Sequence, residues 1–247
     1  MGTGWHRAVG AERPVRKPHD GARAVVVTHS QCIPHRLLIV MRTLSAGWLL
    51  PGIFMLGTLL LGGTPAHAQT DALSLGSSLP EATLYDVEQN SSVSTSALRG
   101  DQATVVLFWS NQCLWIDRYE ERVLDLRDTF ADRGVQFVLV NANDADAFAD
   151  EGRSTSAEQA QSYGDLRYVR DENAAFARQL GAERTPHAFV FDAEGALVYR
   201  GAIDDSPGSP DDVEVAYLRE ALQATLNGES VSEPDTRPFG CMLKPPR

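Results

Sequence analysis

Cysteine has the widest chemical reach of any residue type in this 247-residue chain, and there are three, Cys32, Cys113 and Cys241. Cys113 follows the apolar run at 104–109 and precedes an amphipathic segment, a strand-then-helix pattern that sets it near a helix's first turn. Unpaired N–H groups and the helix dipole there stabilise an anion and lower a thiol's pKa. A thiolate is the nucleophile in disulfide exchange and the form that peroxides oxidise. Inert burial is the alternative for a lone thiol. Of the six histidines, only His187 lies beyond position 68. Two Cys and one His cannot fill a four-ligand zinc site. The acidic residues are scattered and lack the regular Ca²⁺ loop with its glycine. No metal or cofactor is therefore expected, and His187 reads as a packed strand residue.

Position 68 matters because the chain before it reads as a leader. Arg42 is followed by fourteen uncharged residues, 48–61, and then by Ala66-His67-Ala68. This is the pattern of a secretory signal with an Ala-x-Ala cleavage site. The run is short of the roughly 20 apolar residues of a membrane span and is interrupted by Pro51 and Gly52. The expectation is a signal peptide over 41–68, cleavage after Ala68, and a periplasmic or secreted product without stable membrane insertion. An uncleaved anchor is the alternative. Met41 directly precedes Arg42, so translation is expected to begin there, with 1–40 a mis-called or disordered basic extension. Cys32 falls with it.

The cut removes 7 of the 22 Lys+Arg and 2 of the 33 Asp+Glu, leaving 179 residues with 15 basic and 31 acidic, a net charge of −16. So acidic a surface repels nucleic acid and anionic lipid. The two remaining cysteines, an even pair in an exported protein, read first as a disulfide.

Residues 69–100 read as an extended, turn-rich lead-in. Residues 104–109, β-branched and aromatic without polar alternation after Thr104, read as a strand covered on both faces. Ile116, Tyr119, Val123, Leu126 and Phe130 recur at helical steps, and Gly134 ends that helix. Residues 135–140 form the next buried strand, completing a crossover suited to parallel pairing. A short helix is expected over 157–163, a minor strand over 167–169, and a helix over 172–180 capped by Asp171 and closed by Gly181. Residues 188–191 and 197–200 flank Asp192-Ala193-Glu194-Gly195 as a hairpin. Ser209 and Pro210 begin a last helix with Val215, Leu218 and Leu222 as its apolar stripe. This order predicts a single three-layer α/β domain over 69–230 and a tail over 231–247 carrying Cys241.

Several separated motifs then carry a resemblance. Phe108-Trp109-Ser110-Asn111-Gln112-Cys113, with Tyr119-Glu120-Glu121-Arg122 after it, resembles the active-site strand and helix of the thioredoxin-like superfamily, in its alkyl hydroperoxide reductase/thiol-specific antioxidant (redoxin) branch. Residues 181–187 are similar to that fold's Thr-cis-Pro segment, with Thr185 and Pro186 in the matching places. Residues 201–205 resemble its post-hairpin loop and 238–241 a terminal Gly-Cys motif. The resemblance spans about residues 75–245. It implies an α/β/α sandwich with a mixed central sheet, a cis Pro186 facing Cys113, and thiol oxidoreductase or antioxidant activity.

The departures bear on mechanism. Ser110 stands where dithiol members carry the first Cys, which removes the Cys-x-x-Cys disulfide, and Leu114 stands where the branch has Pro. Ser110-x-x-Cys113 is similar to the Thr/Ser-x-x-Cys of peroxiredoxins, but Val106 stands in place of their Pro, and Pro186 falls on or near their Arg. If the tail folds back, Cys241 pairs with Cys113, either as a reversible catalytic disulfide or as a permanent staple worth ~4–5 kcal/mol in the chain-entropy model. The implied site is Cys113, Cys241 and Ser110, supported by Thr185, Pro186 and Trp109. Its substrate would be a protein disulfide or a hydroperoxide, reset by an external thiol reductant. The competing reading is a redox-inactive binding domain with a structural disulfide. Asp204 and Asp205 read as a turn pair, and Trp109 and Trp115 as core or rim aromatics whose fluorescence reports reduction.

Overall fold

The computed structural model describes residues 72–247; the expected extension, signal peptide, cleavage site and Cys32 lie outside them. Nine strands and four α-helices follow in order: β1 (Thr83–Asp86), β2 (Ser91–Ser94), β3 (Ala103–Phe108), α1 (Ile116–Phe130), β4 (Val135–Asn141), α2 (Arg153–Ala160), β5 (Arg167–Arg170), α3 (Ala175–Leu180), β6 (Arg184–Thr185), β7 (His187–Asp192), β8 (Leu197–Gly201), α4 (Tyr217–Asn227) and β9 (Cys241–Met242). Seven strands form one mixed sheet in the order β2-β1-β5-β4-β3-β7-β8, and β6 pairs with β9 apart from it. Strands β3, β4 and β5 are mutually parallel, while β7, β8, β1 and β2 run antiparallel to their neighbours.

β3 is buried at all six residues because helices cover both of its faces. Val105, Leu107 and Trp109 join the cluster that contains Ile116, Tyr119, Val123, Leu126 and Phe130 of α1, with Leu218 and Leu222 of α4. Val106 and Phe108 face the other way, toward Phe176, Ala177 and Leu180 of α3. Period-2 alternation thus feeds two cores, and each large apolar side chain so buried contributes about 1.5–3 kcal/mol.

The elements depart from the sequence expectations in five places. Residues 82–95 form a β1–β2 hairpin, with Asp86 accepting from the backbone N–H groups of Glu88 (3.0 Å) and Gln89 (2.8 Å) at its turn. β5 is not minor, since it sits between β1 and β4. The short helix begins at Arg153, ahead of the expected 157. The last helix begins at Tyr217: Ser209 precedes a separate 3-10 turn at Pro210–Asp212, and Val215 lies before the helix. Asp171 does cap α3, accepting from Ala175 N (3.1 Å) and Ala177 N (2.8 Å), although helical geometry starts three residues later than expected.

The tail lies along the β8 edge. Arg200 N donates to Pro234 O (2.9 Å) and Thr236 N to Arg200 O (3.0 Å). A side chain at Gly201, φ 142°, would put its Cβ 2.1 Å from Thr236 Oγ1, so only glycine allows this approach. The covered edge has no free ladder at these positions.

Candidate functional site

The C-terminal end of β3 delivers Trp109 and Ser110, and a turn carries the chain through Cys113 to α1. The helix starts at Ile116, three residues beyond Cys113, whose carbonyl accepts from Ile116 N (2.9 Å). On the opposing side, Gly181 closes α3 with φ 72°, and β6 leads into a cis Thr185–Pro186 bond before β7. β9 pairs antiparallel with β6 so that Thr185 faces Cys241. The two meet in a Cys113–Cys241 disulfide, Cα–Cα 5.8 Å.

Cys113 Sγ lies 3.0 Å from Thr185 O. Cys113 is buried and Cys241 half-buried, but their surroundings are open: Leu114 is 80% exposed and Met242 70%. The half-buried Trp115 packs edge-on against Phe239 of the tail at 4.7 Å between ring centroids. Arg184 Nη1 donates to Gly240 O (2.9 Å), and Leu243 N to Glu183 O (2.8 Å), so backbone bonds hold the tail on both sides of Cys241.

Ser110 is buried three positions before Cys113, and its hydroxyl donates to Glu151 Oε1 (2.5 Å). Glu151, itself 2% exposed, also accepts from Asn111 N (2.9 Å), Asn141 Nδ2 (2.8 Å) and Asn143 Nδ2 (3.0 Å). Asn111 is held further, its Oδ1 accepting from Tyr168 OH (2.6 Å) and its Nδ2 donating to Ser156 Oγ (2.9 Å). Trp109 is buried, its Nε1 donating to Tyr163 OH (3.2 Å). Burial raises the Tyr163 and Tyr168 pKa values, so both stay neutral hydrogen-bonding groups.

Glu151, Asn141 and Asn143 carry no weight in the sequence motifs. One signal is present: Asn141 ends an otherwise apolar strand and Asn143 follows two residues later, beside the β3 terminus, where open parallel sheets place their sites. His187 is buried against Phe189, its Nδ1 accepting from Glu183 N (3.4 Å). Burial above all, then Arg200, lowers its pKa to about 3, with Asp235 opposing. It is a neutral packed group at physiological pH. Asp204 accepts from Ser206 N (3.1 Å) and pairs with Arg122, as a turn residue does. Among the described residues, no group of three His, Cys, Asp or Glu side chains is placed to hold a metal ion. No helix among them is long and apolar enough to cross a membrane.

A mixed sheet with helices on both faces, a cis proline at the strand entry and a cysteine at the strand-to-helix turn defines a thioredoxin-like protein. The redoxin family model matches residues 74–218, and the chain belongs to the redoxin family. Two solved structures align with it at a TM-score of 0.65. One is an uncharacterised conserved protein from Geobacillus kaustophilus, 31% identical over 69% of this chain and 92% of that one. The other is a hypothetical protein from Sinorhizobium meliloti 1021, 30% identical over 71% of this chain and 97% of that one. No curated protein matches the sequence.

Proposed function

We propose that this protein is an exported thiol–disulfide oxidoreductase whose working pair is Cys113 and Cys241. The observation that carries the reading is the disulfide itself, which joins the strand-to-helix thiol to a tail strand docked against the cis-proline segment. In the reducing direction, Cys113 thiolate attacks one sulfur of a substrate disulfide. The S–S electron pair leaves on the other sulfur, which takes up a proton. Cys241, giving up its proton, then attacks Cys113 Sγ and expels the second substrate thiol. The substrate gains two electrons and two protons, and an external dithiol resets the Cys113–Cys241 bond.

The hydroperoxide version fits less well. It needs the Ser110 hydroxyl to donate to the peroxide, whereas that proton is engaged by Glu151. The staple reading draws on the backbone bonds that hold the tail beside Cys241. Redox titration against glutathione, with Cys113→Ser and Cys241→Ser controls, separates the two. A potential above roughly −300 mV supports exchange, and one far below it indicates a staple. Peroxide-driven oxidation that disappears in Cys113→Ser would favour the antioxidant reading. Export follows from the leader, and sequencing of the exported product should begin near Gln69. An acidic surface with one lysine after the proposed cleavage site, Lys244, makes nucleic acid and anionic membranes poor partners.

A further inference from the structure

We infer that Glu151 is the positioning residue of the Cys113–Cys241 pair, holding both the turn that presents Cys113 and the tail that presents Cys241. This inference rests on the exchange reading above. Glu151 sits on the 3-10 turn Ala149–Glu151, away from the disulfide, and every group it touches donates to it. Ser110 and Asn111 belong to the Cys113 turn. Asn143 belongs to the tail's clamp, because its Oδ1 accepts from Lys244 N (2.7 Å) while Asp144 N donates to Lys244 O (2.8 Å). Lys244 is three residues beyond Cys241, and its Nζ lies over the Phe148 ring at 4.4 Å. Arg170 Nη2 fixes the same residue from behind, donating to Asn143 O (3.1 Å).

The coupling lies in the chemistry of one amide. Asn143 has a donor end and an acceptor end. Glu151 accepts only from the donor end, so the acceptor end must face the tail. Glu151 thereby sets the polarity of the contact that fixes Lys244, and through it the approach of Cys241 to Cys113.

Glu151→Gln keeps the shape and reverses half of this. The Gln oxygen is drawn to the Oε2 position, where the backbone Asn111 N–H cannot turn away. Its NH₂ then occupies the Oε1 position and faces Ser110 Oγ and Asn143 Nδ2. The Ser110 hydroxyl can rotate to accept. Asn143 can accept only by turning its amide round, which sets Nδ2 against Lys244 N, donor against donor, and releases the clamp.

The test uses mature protein equilibrated across glutathione ratios, with the disulfide fraction read by alkylation and mass. Glu151→Gln should lower the equilibrium constant for disulfide formation about tenfold, equivalent to ~30 mV for this two-electron couple. Lys244→Pro removes the tail N–H, together with the Nζ contact to Phe148, and should produce a similar shift. In the Lys244→Pro background, Glu151→Gln should add less than twofold, because the two act through one contact. A wild-type constant recovered by Glu151→Gln overturns the inference, as does full additivity in the double variant. If Glu151→Gln does not fold, an unshifted Lys244→Pro overturns it alone. A wild-type disulfide that does not exchange with glutathione refutes the exchange reading instead, so the two failures are distinct.

Discussion

Replacing Gly240 by alanine tests how far the disulfide, added to the backbone bonds on both sides of Cys241, presses the tail onto β6. Gly240 has φ 151°, and an added Cβ would lie 2.1 Å from Thr185 O and 3.0 Å from Pro186 Cδ. Both contacts are with a segment buried beside β7 that cannot retreat cheaply. A non-glycine residue in such a backbone region costs about 1–3 kcal/mol, before any clash is counted. In the oxidised protein the bond to Cys113 keeps residue 240 pressed on β6, so the strain is present. In the reduced protein, residues 238–242 can lift away and the strain is relieved. The variant's disulfide should therefore form less favourably, by about 5- to 150-fold at 1.4 kcal/mol per decade. That corresponds to ~20–65 mV toward easier reduction. The assay is glutathione equilibration with alkylation and mass readout, alongside urea unfolding of the fully reduced proteins, whose midpoints should coincide. An oxidation equilibrium within twofold of wild type would refute the reasoning, because the close approach would then be present in both redox states or in neither.

Three further outcomes follow from named contacts. Trp115 touches the tail through Phe239, whereas Trp109 is buried on Tyr163. The emission change on reduction should persist in Trp109→Phe and vanish in Trp115→Phe; the reverse pattern would place the reporter in the core. Asp204→Ala should destabilise the fold by about 3 kcal/mol, the low end for a broken buried pair, since Arg122 keeps the Arg118 and Ser206 carbonyls as acceptors. A loss below about 1 kcal/mol in urea unfolding would show the pair to be solvated. His187 has its pKa depressed to about 3 from 6.5, so as pH falls the unfolded chain takes up a proton before the folded one does. Its contribution is whole above about pH 6.5 and is lost toward pH 3, by roughly 4–5 kcal/mol at most. His187→Gln should flatten the stability profile across that window, and an unchanged slope would show that other groups set it.

The two halves of the fold differed in how legible they were. β3, β4, α1 and the β7–β8 hairpin are written in patterns that local physics reads directly: unbroken apolar runs, five apolar residues at helical steps, a four-residue turn. β1 and β2 fall inside a segment whose Ser-, Asn- and Gly-containing breaks read as an extended lead-in, yet Asp86 at the end of β1 is buried with Arg167 paired to it from β5, 81 positions away. α4 was started too early because Ser209-Pro210-Asp211-Asp212 satisfies every local helix-start preference. The chain uses them for a 3-10 turn, and the helix begins only at Tyr217, packed on the core, beside Leu218, its first fully buried residue. Local preference proposes a start, and burial decides it.

The site shows the same division more sharply. Cys113, Cys241, Thr185 and Pro186 stand in motifs, so the resemblance reached them and the structure brings them together around one disulfide. Glu151 stands in no motif. It follows Asp144, Asp146 and Asp150 in a run that charge alone assigns to solvent, and it is the one member drawn inside. Part of what draws it in is distant in sequence: Ser110 and Asn111 lie 41 and 40 residues before it, and the nearer Asn141 and Asn143, whose place at and just past the end of an apolar strand marks them as candidates, do not by themselves say which carboxylate they meet. A buried carboxyl is tolerable only when its acceptors are filled. The four donors converge only after β3 and β4 have paired, so the position of Glu151 is a product of the sheet's register, Phe108 against Val140, and not of its own neighbourhood. Shifting that register by one residue would turn Asn141 to the opposite face and leave Glu151 without a complete shell. The pairing that builds the core therefore also orients the turn before Cys113 and the clamp beyond Cys241.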